Sequence, residues 1–102
     1  MSVYLEGHLV SFTAPLPDER RKAQRVKLME EAAEAFEAAH VMEDVELEEG
    51  YDASYERLDL ADELSDVIQC CVNLADVHGI GPDELMAALD RCRDRNHGRG
   101  RC

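Results

Sequence analysis

Apolar residues recur at spacings of three and four over three long segments of the chain, which is the pattern of amphipathic α-helices. The first segment covers about residues 18–41 and carries two such series. One series is Val26, Met29, Ala33 and Phe36, and the other is Leu28, Ala32, Ala35 and Ala39. We therefore predict a first helix over 18–41, with Asp18 near its N-cap after Pro17.

The other two segments predict a second helix over about 55–78 and a third over about 82–95. An acidic stretch, 43–54, separates the first two helices. From Leu64 onward the second segment is apolar on most sides, which is typical of a helix buried on several faces. In a short chain this indicates the centre of a bundle or a subunit interface. Pro82 suits the first turn of the third helix, whose apolar stripe is Leu85, Met86, Leu89 and Cys92.

This pattern predicts an all-α fold, an antiparallel bundle of three main helices that homo-oligomerisation completes as a four-helix bundle. Residues 1–17 are predicted to be an N-terminal arm with a short helix or strand, and 18–102 to be the helical domain with its arginine-rich tail. At 102 residues the chain is one domain with a modest core. Association into a homodimer or homotetramer would bury more surface.

Charge narrows the classes of function. The net charge is −12, which argues against nonspecific binding to nucleic acid or anionic membranes. No apolar run approaches the roughly 20 residues of a membrane helix, and neither a signal-peptide pattern nor a disulfide spacing is present. We predict a cytoplasmic protein with reduced thiols. Five of the nine arginines lie in the last twelve residues, RCRDRNHGRGRC, so an acidic body carries a basic tail.

Two acidic motifs lie on the first two helices. KLMEEAAEAF carries Glu30, Glu31 and Glu34, and ELSD carries Glu63 and Asp66. Residues three or four apart share one helix face, so antiparallel packing of these helices would bring four carboxylates together. Such carboxylates repel and raise each other's pKa, and a divalent cation removes that conflict. Oxygen ligands without His or Cys favour Mg²⁺ first and Mn²⁺ second. The alternative is that both motifs are ordinary solvated helix faces.

The two motifs together resemble the signature of the MazG-like, all-α nucleotide pyrophosphohydrolases, which include the MazG proteins, dimeric dUTPases and dCTP pyrophosphatases. That signature is EExxE, a spacer and then ExxD; here EEAAE is followed after 28 residues by ELSD. Lys27-Leu28, DVIQCCVNLADVHGI and a late Asn96-x-x-Arg99 also resemble the family. The resemblance covers about residues 20–100. It implies hydrolysis of the α–β bond of nucleoside triphosphates to a monophosphate and pyrophosphate.

The resemblance also implies roles for individual residues. Glu31, Glu34, Glu63 and Asp66 would bind Mg²⁺, and Glu30 would support this cluster or position or deprotonate water. The resemblance also implies that Arg93, Arg95, Asn96 and Arg99 bind substrate. Of these, Arg99 with Arg93 or Arg95 would hold the phosphates. Helix spacing relative to Glu31 and Asp66, rather than the resemblance, adds Lys27, Cys70 and Asn73 to the predicted substrate-binding residues. One departure is Cys92, at a position where many relatives carry Lys, which leaves the phosphate end of the site open.

Several of these residues could also have purely structural roles. Lys27 could form only a surface ion pair with Glu31, and Cys70 could simply pack in the core, although Cys70 and Asn73 could also line a nucleoside pocket. For the whole chain, the alternative is a non-catalytic helical oligomeric protein with an interaction or regulatory role. Binding of nucleic acid through the arginine tail is disfavoured by the acidic body.

Overall fold

A short β-hairpin precedes three helices in the computed structural model, which describes residues 2–5, 8–11 and 18–100. Strands β1 (Ser2–Leu5) and β2 (His8–Ser11) pair antiparallel, with Ser2 opposite Ser11 and Leu5 opposite His8. The helices are α1 (Asp18–Glu46), α2 (Ser54–Val77) and α3 (Pro82–Gly98). Backbone contacts place β2 beside α2 and β1 beside α3.

The three predicted helices are confirmed, with different ends. Helix α1 continues to Glu46 rather than stopping near 41, because half-buried Met42 and Val45 extend its inward face through the acidic residues. Helix α3 continues to Gly98 rather than 95. The hairpin settles the helix-or-strand alternative for the described part of the N-terminal arm, whereas Pro15 and Pro17 lie outside the described residues.

Helices α1 and α2 form the main packing unit. Because the connection between them, residues 47–53, is short, they lie side by side only by running in opposite directions. Among residues 21–100, the buried apolar side chains lie on these two helices: Ala35, Ala38, Cys70, Val72, Ala75 and Val77. Glu31 is buried with them and precedes Ala35 and Ala38 by four and seven residues, which places it on their helix face.

The first apolar series predicted for α1 does not contribute to this core. Met29 and Phe36 are each 74% exposed, and Val26 is 42% exposed. The buried positions of α1 are instead occupied by the small residues Ala35 and Ala38, together with Glu31. On α2, Leu58, Leu64 and Ile68 are also exposed. The predicted burial of α2 on several sides is therefore absent from the single chain before about residue 70.

Helix α3 is the least buried of the three. None of its residues is buried, and its stripe residues Met86 and Leu89 are 37% and 41% exposed. Gly81 at its N-cap and Pro82 at its first turn confirm the predicted start. Within the described chain, no helix combines the length and apolar character that crossing a bilayer requires.

The end of α2 depends on Gly79. Its φ is +71°, and the N–H groups of Gly79 and Ile80 donate to the carbonyls of Asp76 and Ala75 at 3.0 and 2.9 Å. This pair of bonds is the Schellman motif, in which a left-handed residue satisfies the last helical carbonyls.

We expect Gly79→Ala to lower the free energy of unfolding by about 1 kcal/mol, because a side chain is strained at positive φ. Urea denaturation followed by circular dichroism measures this change. The matched control is Gly98→Ala, because Gly98 lies in the last turn of α3, has no positive φ and has open space around its Cβ position. Equal destabilisation by the two variants would contradict the role given to Gly79.

Candidate active site

Carboxylates from α1 and α2 meet where the two helices pack. One oxygen each from Glu31, Glu63 and Asp66 lies within 4.8 Å of the other two. Glu31 is 6% exposed, Glu63 is half-buried and Asp66 is exposed, so the cluster opens from the helix interface toward solvent. Antiparallel packing therefore brings together the two motifs that the sequence analysis paired.

Two oxygens of this cluster have no partner among the residues that the structure describes. They are the buried Oε2 atoms of Glu31 and Glu63. Burying carboxylate oxygens without partners is unfavourable. These oxygens are therefore suited to coordinate a cation.

Glu34, the fourth predicted metal ligand, is exposed and lies beside the three converging carboxylates rather than among them. A hydrogen bond shared with Glu31, followed by the negative charge of Glu31 and by desolvation, raises the pKa of Glu34 above its usual value. The charge of Glu63 and a hydrogen bond with it act in the same direction. In the metal-free protein, Glu34 therefore holds a proton more readily than an ordinary glutamate.

Lys27 lies one helical turn before Glu31 and supplies a positive charge. Its Nζ is 2.9 Å from Glu31 Oε1, and its side chain is 54% exposed while that of Glu31 is 8% exposed. The hydrogen bond from Lys27 is the main reason that the pKa of Glu31 is lowered. The predicted ion pair is thus present, and it lies at the cluster rather than on a remote surface.

A cavity of about 460 Å³ opens beside the carboxylates. It is lined by Ala23, Gln24, Lys27, Glu31, Asp66, Gln69, Cys70 and Asn73. Predicted residues Lys27, Cys70 and Asn73 therefore face the same space as two of the acids. Burial raises the pKa of the Cys70 thiol, so Cys70 presents a neutral surface. Gln69 Nε2 donates to Asn73 Oδ1 at 2.8 Å, which fixes two amides on the wall.

Residues 9–93 match the phosphoribosyl-ATP pyrophosphohydrolase family. The chain belongs to this family. Phosphoribosyl-ATP pyrophosphohydrolases fall within the MazG-like superfamily, so the resemblance carried by EEAAE and ELSD is confirmed at the level of the superfamily. The family is one of hydrolases that act on an acid anhydride. Comparison with curated proteins and with solved structures gave no significant match.

The α3 residues predicted to bind substrate are arranged differently. Arg93, Arg95, Asn96 and Arg99 do not line the cavity beside the carboxylates. Asn96 Nδ2 donates to Cys92 Sγ at 3.2 Å, and Arg93 Nη2 contacts Asp90 Oδ1 at 3.2 Å. The family match also ends before Arg95. The roles of these four residues stay predictions, as do those of the acids.

The structure adds residues that the sequence analysis did not select. Gln24 and Gln69 line the cavity; Gln69 precedes Asn73 by one helical turn, a spacing that could have identified it. Glu30 is exposed and borders a neighbouring cavity with Lys22, Ala23, Val26 and Lys27. Lys27 therefore faces both cavities.

The donor set suits a hard divalent cation. Three carboxylates from two helices offer oxygens only, and the buried Oε2 atoms of Glu31 and Glu63 have no other partner in the described structure. Oxygen donors of this kind are those that Mg²⁺ and Mn²⁺ prefer. Glu31, Glu63 and Asp66 would hold the ion, with Glu34 next to them.

Proposed function

We propose that this chain is a Mg²⁺-dependent pyrophosphohydrolase that cleaves the α–β phosphate bond of a nucleoside triphosphate. Phosphoribosyl-ATP, which gives the family its name, is the first substrate to test. Canonical NTPs and dNTPs, the class predicted from the sequence, are the second. Both substrate types end in the same triphosphate, and each would yield a monophosphate and pyrophosphate.

One observation carries the proposal: carboxylate oxygens of Glu31, Glu63 and Asp66 converge at the edge of a cavity with a polar wall. A triphosphate needs a cation to neutralise its charge and a cavity for its nucleoside. The cluster and the cavity share Glu31 and Asp66, and Lys27 lines the cavity while it pairs with Glu31. This arrangement supports a substrate whose phosphates face the carboxylates while its nucleoside contacts Gln69 and Asn73.

The reaction consumes one water and breaks one P–O bond. A divalent cation supplies charge neutralisation at the phosphates and lowers the pKa of bound water. Glu31, Glu63 and Asp66 would hold that ion. The water oxygen forms the new P–O bond, and Glu30 or Glu34 would accept its proton; Glu34 lies beside Glu31 and Glu63, and Glu30 borders the neighbouring cavity.

The test is release of pyrophosphate from a substrate panel. Phosphoribosyl-ATP, the four NTPs and the four dNTPs are incubated with the protein in Mg²⁺ and, as a control, in excess chelator. We expect pyrophosphate with Mg²⁺ only, together with an equal amount of the monophosphate. Orthophosphate with a diphosphate product would contradict cleavage at the α–β bond. No turnover of any substrate would overturn the proposal. The non-catalytic alternative is not favoured, because the family is one of hydrolases.

We further propose that the chain works as a homodimer or homotetramer. Met29 and Phe36 lie seven residues apart on one side of α1, each 74% exposed, and Leu64 and Ile68 are 48% and 43% exposed on α2. Apolar residues on adjacent helix turns form continuous exposed stripes. A second copy that packs on these stripes would complete a four-helix bundle.

Phe36→Asp is expected to shift the protein from dimer or tetramer toward monomer, because the interface would then bury a charge. Light scattering coupled to size exclusion measures the mass. Leu47→Asp is the matched control: Leu47 is 85% exposed in the α1–α2 connection and should leave the mass unchanged. A wild-type monomer, or an oligomer that persists in Phe36→Asp, would contradict the proposed interface.

A further inference from the structure

Lys27 and a bound cation would compete for the carboxylate of Glu31. Its ammonium lies 2.9 Å from Oε1 of Glu31, and Glu31 is one of the three residues whose oxygens cluster within 4.8 Å. Lys27 is therefore the positive partner of the cluster's most buried carboxylate. A dication bound to Glu31 would repel a lysine held at that distance.

The Lys27 side chain also has open space into which its ammonium group can move. Its side chain is 54% exposed, and it borders both the cavity that contains Glu31 and Asp66 and the one that contains Glu30. A lysine ammonium is a compact charge on a flexible stem with three donors, and it commonly binds phosphate oxygens. Once displaced from Glu31, it can donate to an anion in either cavity.

We infer that Lys27 is an exchangeable counterion: it pairs with Glu31 in the metal-free protein, leaves when Mg²⁺ binds, and then binds the substrate phosphates. This inference rests on the proposed function for its last step, whereas its first two steps concern the metal alone. Under this inference, binding of Mg²⁺ before the substrate favours binding of the substrate. Metal binding would release the very cation that the incoming triphosphate requires.

The displacement of Lys27 can be observed directly by NMR, because the chain contains two lysines, Lys22 and Lys27, and their ammonium signals are easily told apart. In ¹H–¹⁵N spectra of lysine ammonium groups, we expect the Lys27 signal to be visible in metal-free protein, since the ion pair with Glu31 slows hydrogen exchange. Lys27→Met assigns it. Saturating Mg²⁺ should shift or broaden this signal, and inorganic pyrophosphate added with Mg²⁺ should shift it again. The Lys22 signal should change little on addition of Mg²⁺ alone, because Lys22 borders only the neighbouring cavity.

Affinity and stability provide an independent readout. Lys27→Met should bind Mg²⁺ about tenfold more tightly than wild type, because a competing charge is gone. It should also melt earlier than wild type without metal, and this difference should shrink at saturating Mg²⁺. Arg25→Met is the control, because it removes one positive charge from an exposed position of α1 outside both cavities. It should change neither quantity appreciably.

The outcomes separate this inference from the proposed function. A Lys27 signal that ignores saturating Mg²⁺, or a melting difference that persists in Mg²⁺, overturns the exchange even if triphosphates are hydrolysed. A response to Mg²⁺ without one to pyrophosphate overturns the last step. If both responses appear while no nucleotide in the panel is hydrolysed, the exchange stands and the proposed function fails.

Discussion

Glu63→Gln is expected to lower kcat for pyrophosphate release by roughly 10²- to 10³-fold, since each tenfold loss corresponds to about 1.4 kcal/mol of transition-state stabilisation. The amide keeps the size of the side chain but removes the charge that would hold Mg²⁺. Glu63 is half-buried, and its Oε2 has no hydrogen-bond partner within the described part of the chain, so the substitution breaks no hydrogen bond seen at that oxygen. Steady-state kinetics at saturating Mg²⁺ measure the loss.

Glu56→Gln is the matched control for this variant. Glu56 lies seven residues earlier on α2, so it shares a helix face with Glu63. Its Oε2 is likewise buried, with no partner from the residues described. It does not belong to the carboxylate cluster. We expect it to keep wild-type kcat. Equal losses in both variants would mean that α2 needs its buried charges for folding, and would contradict a specific role for Glu63.

Glu34→Gln is expected to stabilise the metal-free protein while weakening Mg²⁺ binding by about tenfold or more. The pKa of Glu34 is raised, first through its hydrogen bond with Glu31 and then through the charge of Glu31. Folding therefore favours the protonated form of Glu34, and the stability that this provides is lost as pH rises through the raised pKa. Glutamine mimics the protonated acid at every pH.

The difference in melting temperature between Glu34→Gln and wild type should depend on pH. Near pH 4, where Glu34 is largely protonated in both states, Glu34→Gln and wild type should melt at similar temperatures in chelator. As pH rises to 7, the variant should melt progressively higher than wild type, because wild type then carries the repelling charge. Glu37→Gln, which neutralises an exposed residue on α1, should show no such trend. A variant that is less stable than wild type at pH 7 would contradict the proposed repulsion.

The helices were predictable because their signals are local. Spacing identified α1 and α2, and Pro82 marked the start of α3, whose N-cap is Gly81. Exact ends were less predictable. Acidic residues 43–46 read as a break, yet Met42 and Val45 keep the inward face continuous to Glu46. The pairing of Ser2–Leu5 with His8–Ser11 in a hairpin could not be predicted, because apolar and polar residues alternate over only a few positions there.

The carboxylates of the site could be predicted because two i, i+3 pairs on neighbouring helices leave few ways to pack. Glu31 shares a helix face with Ala35 and Ala38, so its burial follows from the same periodicity that buries the alanines. The position of α3 could not be predicted in this way. Arg95 and Arg99 share a charge pattern that suggests phosphate binding, but sequence spacing does not determine which cavity a third helix lines.

The arrangement of α1 and α2 also bears on how the site forms during folding. Glu31 and Asp66 belong to one helical hairpin, joined by the short connection 47–53. Closing a short loop loses little chain entropy, and proteins dominated by such local contacts fold quickly. We therefore expect the carboxylates to meet early, before α3 and the proposed second copy add their contacts. Mg²⁺ present at that stage would favour the correct alignment of the hairpin, so the ion would assist folding as well as hydrolysis.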